Sequence, residues 1–113
     1  MERITEEREQ SYLLVDEEFK AEKLSPLTRR EQEVFMVLYT NDEELTYLDI
    51  SRKLGLKEDS VKDYISSMCT KGVPIIKKFI PNSVLISLDP EFRSLQAKEN
   101  ILSIHEEVAK EFV

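Results

Sequence analysis

Between Leu45 and Leu88 the spacing of apolar residues changes once, from a helical period to a strand period, and one glycine stands inside the helical part. Leu54-Gly55-Leu56 separates two short amphipathic segments, and a chain that reverses in so few residues needs the backbone freedom of glycine. Before it, Thr46 and Asp49 have the T-x-x-D spacing of a reciprocal helix cap, so a helix is expected from Tyr47. Its stripe is Tyr47, Ile50 and Leu54, with Arg52 and Lys53 off that face. After the glycine, Val61, Ile65 and Met68 recur at i, i+4 and i+7, leaving Asp59, Lys62, Asp63, Ser66 and Thr70 mainly on the opposite side. Gly72 is placed to end this second helix, and Cys69, beside Met68, is expected to pack inward. Two β-branched-rich runs, 75–80 and 84–88, then flank Pro81-Asn82-Ser83, which is turn chemistry for a hairpin.

Upstream, Thr28-Arg29-Arg30-Glu31 has the spacing of a capping box ahead of the apolar run 34–39, predicting another helix over 29–39. Asn41-Asp42-Glu43-Glu44 reads as the polar connection between helices. The order helix, helix, turn, helix, hairpin is that of a winged helix-turn-helix, mainly α with a small β-hairpin. The chain divides into an acidic N-terminal arm (1–24), the winged domain (25–89) and a C-terminal helical segment (90–113).

Residues 27–35, Leu-Thr-Arg-Arg-Glu-Gln-Glu-Val-Phe, resemble the opening helix of LuxR-type regulators and of sigma-factor region 4. Lys53-Leu54-Gly55-Leu56 with Ser60-Val61-Lys62 resembles their turn and recognition helix. From Leu54 to Pro90, the order L-G-L, Ser60-Val61, Tyr64-Ile65, Lys71-Gly72-Val73-Pro74-Ile75 and a hairpin is similar to the N-terminal winged helix of biotin-operon repressors. These resemblances imply a DNA-binding fold. The chain departs from them at the cap of the recognition helix, where Lys57, followed by Glu58 and Asp59, replaces the usual Ser or Thr; two carboxylates there suit the helix dipole and repel phosphate.

The net charge of −7 runs against nucleic-acid binding until its distribution is resolved. Residues 1–23 carry 4 basic and 8 acidic groups, 24–89 carry 9 and 10, and 90–113 carry 3 and 5, so the acidity sits in the two ends. Within 51–78, Arg52, Lys53, Lys57, Lys62, Lys71, Lys77 and Lys78 face only Glu58, Asp59 and Asp63. The elements that would approach DNA are locally positive.

Residues 3–23 contain no Gly or Pro and place Tyr12, Val15 and Phe19 at i, i+3 and i+7, the pattern of an amphipathic helix. After Pro90, Ile101, Ile104, Val108 and Phe112 recur at i, i+3, i+7 and i+11, predicting one C-terminal helix of about 20 residues. Two such stripes exceed what a small core requires, so the terminal helices are expected to pair in a homodimer.

The resulting expectation is a regulator of transcription that binds double-stranded DNA, with a recognition helix over about 58–71 in the major groove and a wing over 75–88 on the backbone. Ser60, Asp63, Ser66 and Ser67 would meet base edges, Lys57 and Lys62 flanking phosphates, and Lys77, Lys78 and Asn82 the backbone or minor groove, with Arg52 and Lys53 adding positive charge. Arg29 and Arg30 are secondary phosphate candidates. The alternative is a winged helix used as a protein-interaction module, its acidic ends meeting a basic protein partner. No Gly-rich phosphate loop, cysteine pair or metal-ligand spacing occurs, and His105 and Cys69 are single, so neither an enzyme nor a cofactor is expected. One cysteine, no secretory signal and no apolar run long enough for a membrane point to the cytoplasm.

Overall fold

Reciprocal caps start the first two helices of the structure, a computed structural model that describes residues 24–112. Its elements are α1 (Arg29–Thr40), α2 (Tyr47–Leu54), α3 (Glu58–Thr70), β1 (Ile75–Ile80), β2 (Ser83–Leu88), α4 (Pro90–Glu99) and α5 (Glu106–Glu111). This is a mainly α, winged-helix type of fold. The segment 3–23, expected to form an amphipathic helix, lies outside the described residues.

At α1, the Glu31 amide donates to Thr28 Oγ1 at 3.2 Å and the Thr28 amide to Glu31 Oε1 at 2.8 Å. At α2, Thr46 and Asp49 exchange the same bonds at 3.0 Å each. These pairs satisfy amides that have no partner within the helix. Gly55 ends α2 at φ 69°, and the Leu56 amide reaches Ser51 O at 3.0 Å. Gly72, at φ 100°, ends α3 with the two bonds of a Schellman turn, its own amide to Cys69 O and that of Val73 to Met68 O. The N-cap of α3, Lys57, makes no side-chain capping bond, so Glu58 and Asp59 alone complement the dipole there.

Val34, Phe35, Val37 and Leu38 from α1 meet Ile50 of α2, Val61, Ile65 and Met68 of α3, and Ile86 and Leu88 of β2 in one core. Each such side chain contributes about 1.5–3 kcal/mol when fully buried. The hairpin pairs Ile75 with Leu88 through Ile80 with Ser83, closing on a two-residue turn of Pro81 and Asn82 with Asn82 at φ 70°. Proline first and an asparagine at positive φ second fit a type II turn, and β2 therefore starts at Ser83, one residue before the sequence-based limit. Leu45 exchanges backbone bonds of 3.0 and 2.7 Å with Ile86, tying the α1–α2 connection to the wing.

The single C-terminal helix of about 20 residues is not what forms. α4 stops at Asn100, in the left-handed region at φ 47°, and α5 begins only at Glu106. The Gln96 side chain organises the break, donating to Asn100 Oδ1 at 2.7 Å and accepting from the Leu102 amide at 3.0 Å. His105 caps α5 by accepting from the Glu107 amide through Nδ1. The break turns the chain back, so that Leu102 and Val108 enter the same core as Phe35 and Phe92. An unbroken helix of roughly 30 Å would have carried Val108 past so small a core. With Val108 fully buried in its own domain, the C-terminal stripe no longer calls for a second copy.

Candidate nucleic-acid interface

Three apolar residues fix the inner face of α3: Val61, Ile65 and Met68 are fully buried. A polar anchor fixes its C-terminal end. Glu31, only 3% exposed, accepts from Ser67 Oγ at 2.5 Å and from Lys71 Nζ at 2.6 Å while also closing the cap of α1. Burial is the largest single influence on this carboxyl and raises its pKa, but the bonds from Lys71, Ser67 and the Thr28 amide, with the Lys71 charge, hold it below its ordinary value. Ser67, expected at base edges, is therefore turned inward and withdrawn from the candidate face. No local pattern announces this, because its partner lies 36 residues away.

On the outer face of α3, Lys57, Lys62, Asp63 and Ser66 are exposed and Ser60 is half-buried. Lys62 Nζ stands 5.6 Å from the ring centre of Tyr47, a cation–π contact that orients the ammonium across the start of α2. Arg52 and Lys53 are exposed in the last turn of α2. The Thr46 amide bond is the main reason the Asp49 carboxyl lies below its usual range; burial opposes it, and the Thr46 hydroxyl and the nearby Arg52 and Lys53 charges act with the amide. On the wing, Lys77, Lys78 and Asn82 are exposed. Phe79, between Lys78 and Ile80, is 76% exposed, which the strand pattern did not anticipate.

The tip of the hairpin and the start of the two helices enclose an open cleft of about 510 Å³. Thr46, Tyr47 and Leu48 from the start of α2, Glu58 and Lys62 from α3, and Asn82, Ser83 and Val84 from the wing line it. Of the residues chosen from sequence, Lys62 and Asn82 converge here; Arg52, Lys53, Lys77 and Lys78 lie outside the lining, as do Lys57, Ser60, Asp63 and Ser66.

Apart from Lys98 and Lys110, which are exposed and unpaired on α4 and α5, the cations divide into two groups among the described residues. Arg29 faces Glu33, Glu107 and Glu111 at 3.6–4.0 Å, and Arg30 pairs with Glu33 at 2.7 Å, so neither secondary phosphate candidate is free. Lys71 belongs to Glu31. Arg93 reaches the carbonyls of Tyr39, Leu38 and Asn41 at 2.6–3.1 Å, closing the C-terminus of α1 with a cation. By contrast Arg52, Lys53, Lys57, Lys62, Lys77 and Lys78 have no carboxylate within ion-pair distance among the described residues.

Cys69 is exposed rather than packed in the core, because the helix turns its position out beside the wing. Partial burial nevertheless raises its thiol pKa, against a smaller opposing effect of Lys77, so it is not an activated thiolate. Among the described residues no group of three or more His, Cys, Asp or Glu is placed to hold a metal ion, and no helix is long and apolar enough to cross a membrane.

No family model matches the chain, and no curated protein matches it by sequence. A solved structure of Bordetella bronchiseptica BpsR, which concerns the regulation of that protein's DNA binding by 6-hydroxynicotinic acid, is similar. The match has a TM-score of 0.52 at 15% identity and covers 98% of this chain and 80% of that one. At that identity the likeness is one of fold, and it agrees with the winged helix built from the residues above.

Proposed function

We propose that this protein is a DNA-binding regulator of transcription, with α3 in the major groove and the hairpin against the backbone. The observation that carries the reading is the clustering of unpaired cations: those on and around α1 are held within the domain, whereas six on α2, α3 with its cap, and β1 stand exposed and unpaired, against only Lys98 and Lys110 elsewhere among the described residues. Similarity in fold to a protein whose DNA binding is regulated supports the same reading. Lys57, Lys62, Lys77 and Lys78 suit phosphates, Ser60 and Ser66 suit base edges, and Asp63 suits an amino group such as that of cytosine. Glu58 and Asp59 keep phosphate away from the start of α3, so the backbone contacts fall to the lysines around it.

Anisotropy of a labelled random-sequence duplex at about 50 and 200 mM salt tests this reading. The four lysines as phosphate contacts give a log–log slope of about −3.6, a loss of roughly 150-fold over that range. Lys77→Ala/Lys78→Ala flattens the slope by about 1.8, leaving a loss of roughly 12-fold. Two copies acting together would raise affinity through effective concentration, and sedimentation of the same samples reads that state. The exposed Glu58 and Asp59 and the net charge of −7 favour the other use of the fold, docking on a basic protein; absence of duplex binding even at the lower salt selects it.

A further inference from the structure

Side chains along β1 alternate between the two faces of the hairpin, so Ile75, Lys77 and Phe79 share one face with their cross-strand partners Leu88, Ile86 and Val84. Ile86 and Leu88 are buried in the core, and Val84 lines the cleft opposite Lys62 and Tyr47. This face therefore looks towards α2 and α3, and Phe79 stands at its outer end, 76% exposed, with no other ring packed on it among the described residues. An aromatic ring in a strand normally packs against its cross-strand neighbour; here the ring stays exposed opposite a half-buried Val84. Its immediate surroundings are cationic. Residues 75–88 include Lys77 and Lys78 and no Asp or Glu, and the hairpin ends on a turn of only two residues.

We infer that Phe79 is an apolar wedge that enters the minor groove of duplex DNA from the wing and opens a base step, while Lys77 and Lys78 hold the flanking phosphates. The inference rests on the proposed function and extends it to a class of target. Charge complementarity selects the duplex as occupant, since an exposed ring with one unpaired lysine on its own face and another on the opposite face of a carboxylate-free hairpin matches a polyanion. A narrow hairpin tip suits the minor groove, about 6 Å wide. Partly unstacking a step costs least where pyrimidine precedes purine, so duplexes with a TA or CA step under the wing are preferred over stiff A-tracts.

The experiment compares the full chain with Phe79→Ala, Phe79→Leu and Lys77→Ala/Lys78→Ala on two short duplexes of equal composition, one of alternating TA steps and one an A-tract, each carrying 2-aminopurine at a central step. Circular dichroism melts confirm that every variant is folded, as expected for a ring this exposed. The unaltered protein is expected to bind the alternating duplex about tenfold more tightly than the A-tract and to raise the 2-aminopurine fluorescence as the base unstacks. Phe79→Ala loses that preference and the fluorescence rise, weakening binding roughly 10- to 100-fold at an unchanged salt slope, whereas Phe79→Leu keeps most of both. The lysine double variant shows the converse, a flatter slope with the preference retained. Salt-sensitive binding that is identical in Phe79→Ala overturns the wedge and leaves the proposed function standing; no binding by the unaltered protein overturns both. If Phe79→Ala leaves DNA binding alone but dissolves a dimer in sedimentation, the ring belongs to a second copy and the wedge is likewise overturned.

Discussion

Replacing Glu31 tests whether one carboxylate joins the start of α1 to the end of α3. Its side chain is 4% exposed and accepts three bonds: from the Thr28 amide, the Ser67 hydroxyl and the Lys71 ammonium. Truncation in Glu31→Ala removes the capping partner, worth about 1 kcal/mol, and two bonds to a charged acceptor, each worth about 1.5–3 kcal/mol. Two gains offset part of this: the cost of burying the carboxylate disappears, and Lys71, 25% exposed, rehydrates. The net expected loss is about 3 kcal/mol, a fall in Tm of roughly 12–18 °C for a domain of this size. Glu31→Gln keeps one acceptor oxygen and loses the ion pair, for a loss of about 2 kcal/mol. Because the folded carboxyl titrates below its ordinary value of 4.5, its stabilisation is complete above that pH and is lost as pH falls through the folded-state value. The difference between the natural protein and Glu31→Gln in urea unfolding should therefore be constant near neutrality and shrink below about pH 4.5. A loss under about 1 kcal/mol for Glu31→Ala, or a pH-independent difference for Glu31→Gln, refutes the anchor.

Two further substitutions separate backbone from side-chain effects. Gly55→Ala should cost about 1–2 kcal/mol in urea unfolding, all of it from holding an L-residue at φ 69°, since nothing lies within 4 Å of the added Cβ. Gly55→Asn should cost clearly less, and an equal cost for both would point to a steric cause instead. Arg93→Ala should destabilise by about 2–3 kcal/mol through loss of three bonds to the end of α1. Arg93→Lys should recover less than half of that, because an ammonium cannot present the same fork; full recovery would show that charge alone suffices.

The parts of this fold that were legible in the sequence depend on residues a few positions apart. Thr28 with Glu31 and Thr46 with Asp49 set two helix starts, Gly55 and Gly72 two ends, and Pro81-Asn82 the wing turn. The change from helical to strand spacing gave the order of the elements, and the inner residues of α3 lie where their spacing puts them. Of the candidate DNA-contacting residues, what was legible is their exposure: Lys57, Lys62, Asp63 and Ser66 are exposed, as are Lys77, Lys78 and Asn82. What tertiary structure alone decided involves partners far apart in the chain, whose meeting depends on how helices pack. Glu31 draws Ser67 inward across 36 positions, and Arg93 reaches Tyr39 across 54. The break at Asn100 follows the same rule: local periodicity favoured one long helix, but burying Leu102 and Val108 on a small core outweighed the helical bonds lost there. Exposure of Cys69 and Phe79 was likewise decided by packing, because spacing fixes which residues share a face, and only packing fixes where that face ends.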